Sequence, residues 1–158
     1  MHGRIVFVCT GNVFRSLTAE YALRARRPDL VVASAGTAQG DDLVPPEVSA
    51  YLLAKGFDVR AHRRRALTQD IIEQADLVVA MSLDHRDFIR ARFGVEVPVF
   101  LECCGEAPAA LLDLHEAVAD YRTNPAAAVA HICATIDRII DLTPRLARRV
   151  DNLFRHVD

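Results

Sequence analysis

Apolar residues along this chain fall into short continuous runs that alternate with segments of helical spacing. Residues 3–9, GRIVFVC, form a run rich in β-branched side chains, the pattern of a strand buried on both faces. Residues 16–27 follow as a predicted helix, with Ser16 in the N-cap position and Glu20 inside it. Residues 30–35, LVVASA, closed by Gly36, predict a second strand. LVVAM at 77–81 predicts a third and VPVFL at 97–101 a fourth. Helices are predicted over 47–55, ending at Gly56, over 68–75 with Thr68 as cap, and over 83–93. The stretch from Thr37 to Pro46 reads as a surface excursion, and 102–124 as irregular or mixed. Residues 125–142 predict a long Ala- and Ile-rich helix with Pro125 in its first turn. Pro144 is expected to end or kink it, leaving an Arg-rich helical tail over 143–158.

Strands alternating with helices argue for βαβ units, hence a parallel sheet covered on both faces. The expectation is one α/β domain over residues 1–158 with a four-stranded parallel sheet. The chain has 158 residues, enough to bury one core without staples. Composition adds little: 51% hydrophobic and 25% charged residues describe a globular chain, and a net charge of −2 gives no reason to expect nucleic acid as a partner. No apolar run approaches the ~20 residues that span a bilayer, so no membrane association is expected. The first residues run straight into a strand, which predicts no secretory leader. The cysteines, Cys9, Cys103, Cys104 and Cys133, make no C-x-x-C pair, and no histidine stands at zinc spacing from them. Free thiols in a reducing cytoplasm are the natural reading.

Candidate chemistry sits at the first strand-to-helix turn, Cys9-Thr10-Gly11-Asn12-Val13-Phe14-Arg15-Ser16. In open α/β sheets this turn is a favoured phosphate site. Of the four cysteines only Cys9 has an arginine six positions on. The five residues between can curl so that their amides surround one tetrahedral anion. The following helix adds the positive end of its dipole, and Arg15 can close the ring with a bidentate fork. The same field favours the thiolate of Cys9, the form that acts as a nucleophile. Gly11 allows close backbone approach. Asn12 tolerates left-handed geometry and can pin the loop from behind. The Ser16 hydroxyl can donate to the sulfur.

Read from Val8 to Glu20, VCTGNVFRSLTAE resembles the active-site signature of the low molecular weight protein tyrosine phosphatases. The similarity continues in Ser34-Ala35-Gly36-Thr37, in His62-Arg63-Arg64-Arg65-Ala66-Leu67-Thr68, in Ala75-Asp76-Leu77-Val78-Val79-Ala80-Met81 and at His85. It covers the chain to about residue 143. The resemblance implies a Rossmann-like three-layer fold of the phosphotyrosine protein phosphatase I type. It implies hydrolysis of phosphate monoesters on phosphorylated protein substrates through a phosphocysteine, with no metal or other cofactor. By position, Cys9 is the nucleophile, Arg15 the phosphate clamp, and Asn12 and Ser16 the supports of loop and thiolate. The general acid is expected at Asp120, with Asp113 as competitor and His115 and Glu116 between them. Tyr121 is the candidate aromatic wall beside the substrate.

Four departures stand out. Phe14 replaces the family's second loop cysteine, which removes a protective disulfide partner for Cys9. Leu17 replaces a proline, Ser82 stands where many members have aspartate, and Tyr121 follows Asp120 where proline is usual. Valine at position 13 favours phosphotyrosine, since threonine there accompanies phosphoarginine preference. Two alternatives remain open on the sequence. One is a weakened phospho-binding member, and the other an arsenate reductase, which would need Cys103, Cys104 or Cys133 to relay a disulfide. His62, His85, His115 and His131 are scattered and receive no catalytic role. The Arg63–Arg65 cluster reads equally as a solvated patch or as an attractor of anions.

Overall fold

A computed structural model describes residues 3–38, 43–111 and 114–155. Its elements run β1 (Arg4–Cys9), α1 (Arg15–Arg26), β2 (Val31–Gly36), α2 (Pro46–Ala54), α3 (Gln69–Gln74), β3 (Leu77–Ala80), α4 (Leu83–Phe93), α5 (Phe100–Cys103), α6 (Leu114–Ala117) and α7 (Pro125–Arg155). The strands make a parallel sheet in the order β2-β1-β3, with β1 in the centre. Side chains alternate across β1. Ile5, Phe7 and Cys9 enter one core with Leu23 of α1 and Ile139, Leu146 and Val150 of α7, while Val6 and Val8 enter a second with Ile72 of α3 and Ile89 of α4. Helices therefore cover both faces, as the continuous apolar strands require. A third cluster joins Phe14 and Leu17 to Val48 and Leu52 of α2 and to Ile132 and Ile136 of α7.

Three expectations change. The described sheet has three strands, and the segment expected as the fourth contributes a single parallel bridge, Ala80 to Val99. Pro98 has no N–H to extend a ladder, although its carbonyl accepts from Ala80 N–H at 3.0 Å, and the chain turns into α5 at Phe100. Val97 and Val99 are still buried against the sheet. Pro144 does not end α7, which continues to Arg155. The apolar stripe Ile139, Leu142, Leu146 and Val150 packs on the first core across the proline, and that burial outweighs the lost backbone bond. Finally, α1 starts at Arg15 with Phe14 in the N-cap position, so Ser16 is not the cap. Among the described residues no helix is long and apolar enough to cross a membrane.

Candidate active site

Between the end of β1 at Cys9 and the start of α1 at Arg15 the chain has five residues in which to turn. Asn12 takes a positive φ of 60°, a conformation that asparagine tolerates. Opposite it lies Gly36, paired in register with Cys9; a Cβ there would stand 2.7 Å from the Thr10 carbonyl oxygen, so only glycine lets β2 approach the loop this closely. Among the described residues, the amides of Gly11, Asn12, Val13 and Phe14 donate to no protein acceptor. Asn12 is fully buried and Phe14 nearly so. Donors left open in a buried turn are what an anion site requires.

Cys9 lies buried, with its Sγ 2.9 Å from Ser16 Oγ. The direction of that contact follows from its neighbours. The Arg65 N–H, which can only donate, bonds Asn12 Oδ1 at 2.9 Å, so the Asn12 amide presents its NH2 to the other side. There Nδ2 donates to Ser16 Oγ at 3.0 Å and to Ser34 Oγ at 2.8 Å. The Ser34 hydroxyl in turn donates to Glu20 Oε1 at 2.8 Å, and Glu20 is held by Arg24 at 2.6 Å. Ser16 thus accepts from Asn12 and keeps its proton for the sulfur. A hydroxyl committed as donor is placed to hydrogen-bond the sulfur of a nucleophile or leaving group.

The candidate clamp is equally enclosed. Arg15 is 2% exposed, donates from Nη1 to the Leu111 carbonyl at 2.7 Å and from Nη2 to Thr10 Oγ1 at 3.3 Å. Thr10 shares a second bond, 2.9 Å, with Nε2 of buried His85 on α4. Two further residues pin the loop's carbonyls: His62 Nε2 lies 2.8 Å from Asn12 O, and Arg64 Nε donates to Gly11 O at 3.1 Å. His62, Arg64 and His85, together with Glu20 and Ser34, are loop supports to which sequence reasoning gave no role. Only their place in recurring motifs hinted at one.

A family model for the low molecular weight phosphotyrosine protein phosphatases matches residues 4–153. The chain belongs to that family. It is 33% identical over 86 residues to the low molecular weight protein-tyrosine-phosphatase Ptp of Acinetobacter johnsonii, covering 54% of this chain and 61% of that protein. It is 38% identical over 95 residues to the protein-arginine-phosphatase of Bacillus subtilis, covering 57% and 63%. The chain thus spans about three fifths of the length of these curated relatives. Among solved structures, the arginine phosphatase YwlE of Geobacillus stearothermophilus superposes with a TM-score of 0.79 at 28% identity, over 95% of this chain and 94% of that one.

Around the phosphatase loop lies a cavity of about 340 Å³, lined by Val13, Phe14, Pro45, Val48, Tyr121 and Ile132 among others. Tyr121 is therefore brought beside two loop residues. Phe14, in place of the family's second cysteine, packs inward with its ring 6.5 Å from that of His131. Asp120 does not line this cavity. It is exposed in the turn before α7, where its carboxylate accepts from Asn124 at 3.3 Å. Asp113 lies outside the described residues, as does the side chain of His115, while Glu116 is exposed. All four cysteines are free. Burial is the first cause that pushes the thiols of Cys103 and Cys104 up to about 12, reinforced at Cys104 by Glu106. Thiols held protonated are poor partners for a disulfide relay, which weakens the arsenate-reduction reading.

Proposed function

We propose that the chain, as one phosphatase domain, hydrolyses phosphotyrosine in cytoplasmic protein substrates through a phosphocysteine. The observation that carries this reading is the directed donor chain ending on Cys9 Sγ, beneath a loop in which the amides of residues 11–14 have no protein acceptor among the described residues. In the first step the Cys9 thiolate attacks phosphorus, the bond from phosphorus to the tyrosyl oxygen breaks, and Asp120 protonates the departing phenolate. In the second, Asp120 takes a proton from water, the hydroxide attacks phosphorus, and the P–S bond breaks to return the thiolate and release phosphate. Arg15 and the loop amides hold the equatorial oxygens, where charge develops. Ser16 supports the sulfur as nucleophile and as leaving group.

Tyrosyl rather than arginyl phosphate is favoured by the apolar lining at Val13, Phe14 and Tyr121, which suits an aromatic ring. The relatives' names include both tyrosine and arginine phosphatases, so the substrate has to be read directly. Wild type and Cys9→Ser are assayed on peptides carrying phosphotyrosine, phosphoserine or phosphoarginine. Turnover is expected on phosphotyrosine first, falling by at least about a thousandfold in Cys9→Ser. Full activity in Cys9→Ser overturns the nucleophile; preference for phosphoarginine overturns the substrate.

A further inference from the structure

A second cavity, of about 540 Å³, is lined by Arg4, Glu20, Arg24, His62, Arg63 and Arg65 among others, and shares no residue with the apolar cavity beside the phosphatase loop. Its charge is one-sided. Four guanidiniums meet one carboxylate in the cavity wall, Glu20, which Arg24 already pairs at 2.6 Å; outside the wall, Asp76 accepts from the Arg4 backbone N–H and not from its guanidinium. Among the described residues no carboxylate lies within ion-pair distance of the side chains of Arg4, Arg63 or Arg65.

Solvated surface arginines are normally mobile and contribute little. Two here are anchored instead. Arg24 is fixed by Glu20 and by the Val32 carbonyl at 3.1 Å, and Arg63 donates from Nη1 to His62 O at 3.0 Å and Arg60 O at 3.3 Å. Each guanidinium carries five N–H donors, so both keep donors in hand while their ordering entropy is already spent on the protein. Rigid forks with excess positive charge match phosphate oxygens better than any neutral ligand. The volume lies within the range of small-molecule sites.

We propose that this cavity binds a condensed phosphate group, as free pyrophosphate or tripolyphosphate or as the phosphate chain of a nucleotide. It is wired to the nucleophile. Glu20, in its wall, bonds Ser34, Ser34 bonds Asn12, and Asn12 bonds the Ser16 that touches Cys9. An anion that shares the Arg24 guanidinium with Glu20 weakens that pair and with it this chain, so occupancy lowers kcat without competing for the substrate loop. That kinetic consequence rests on the function proposed above; binding does not.

The test is a calorimetric titration of tripolyphosphate into the full chain with the phosphatase loop saturated by orthovanadate. Binding is expected to persist, to weaken at least tenfold in Arg4→Gln/Arg63→Gln, and to be unchanged in Arg26→Gln/Arg148→Gln, which alters exposed arginines outside the cavity. Thermal melts check that both variants fold. Pyrophosphate binding as tightly as ADP assigns the phosphate chain alone, and tighter ADP binding assigns a nucleotide; either supports the site. Binding abolished by vanadate, absent in wild type, or weakened equally in both variants overturns it. In assays with p-nitrophenyl phosphate, tripolyphosphate should lower kcat of wild type and not of Arg4→Gln/Arg63→Gln. Purely competitive inhibition of equal strength in both overturns the coupling. A wild type that binds tripolyphosphate but turns nothing over refutes the proposed activity and leaves the cavity's ligand intact.

Discussion

The loop from Cys9 to Ser16 and the segment from Gly105 to Asn124 both serve the proposed reaction, yet they are built by opposite means. Side chains and carbonyls of the loop are tied from outside, which leaves its amides open: Asn12 through Arg65, Ser34 and His62, Gly11 through Arg64, and Thr10 through His85. The later segment carries its carboxylate on an exposed turn whose hydrogen bonds stay within four residues of Asp120. The comparison separates two demands. Binding a dianion and steadying a thiolate need fixed donors, which a buried network supplies at no reorganisation cost during reaction. Delivering a proton to a leaving group needs reach and exchange with water, which an exposed carboxylate has.

The sharpest way to break the contrast is at Arg15, which joins the two regions through its 2.7 Å bond to the Leu111 carbonyl. Arg15→Lys keeps the charge but loses the planar fork, and is expected to lower kcat/KM by about 10²–10³ with p-nitrophenyl phosphate. A loss under about threefold would mean that the loop amides alone hold the phosphate. Next is Asp120→Asn. Its expected signature is a fall in kcat of about a hundredfold on phosphotyrosine and a smaller fall on p-nitrophenyl phosphate, whose leaving group scarcely needs a proton. Equal losses on both substrates would remove Asp120 as the acid. A smaller effect, on stability, is expected of Gly36→Ala. With Thr10 O only 2.7 Å from the new Cβ, β2 must retreat from the loop, lowering Tm by about 3–10 °C. An unchanged Tm would show that the loop does not depend on this contact.

How far the sequence disclosed these two regions follows from the range of their contacts. Cys9, Arg15 and Ser16 lie within one turn and are legible from spacing, as are the buried β1 and the start of α7 at Pro125. His62 and His85 reach the loop from 50 and 75 residues away, and no periodicity reveals a contact at that separation. The Ser16 misreading has the same origin: a local capping rule lost to the bonds that Cys9 and Asn12 make with its hydroxyl. Pro98 and Pro144 mislead in opposite directions. At 98 the missing donor reduces an apolar run to one bridge, whereas at 144 Leu142 and Leu146 bury enough surface to carry the helix through. Asp120 stays the least legible, because an exposed aspartate in a turn looks alike whether or not it serves chemistry.

The contrast can be pressed once more at the root of the later segment, where α5 leads into Gly105. Cys103 and Cys104 are buried there in the first core, so the segment is anchored chiefly by apolar packing, with one bond from Arg149 on α7 to the Cys103 carbonyl at 3.0 Å, where the loop is anchored by many donors. Burial raises both thiols from an ordinary value of 9.0 to about 12 in the fold. The folded state therefore keeps these protons after the unfolded chain has begun to lose them. Their stabilising contribution is complete below about pH 9 and drains away as pH rises through 12. Replacing both, as Cys103→Ala/Cys104→Ala, should lower Tm at neutral pH through lost packing and flatten its decline between pH 9 and 11 relative to wild type. Tyrosines ionise in the same range, but they are common to both proteins and cancel in the difference. Parallel declines in wild type and variant would mean that the root is open to water, and that the later segment is as loosely held at its base as at Asp120.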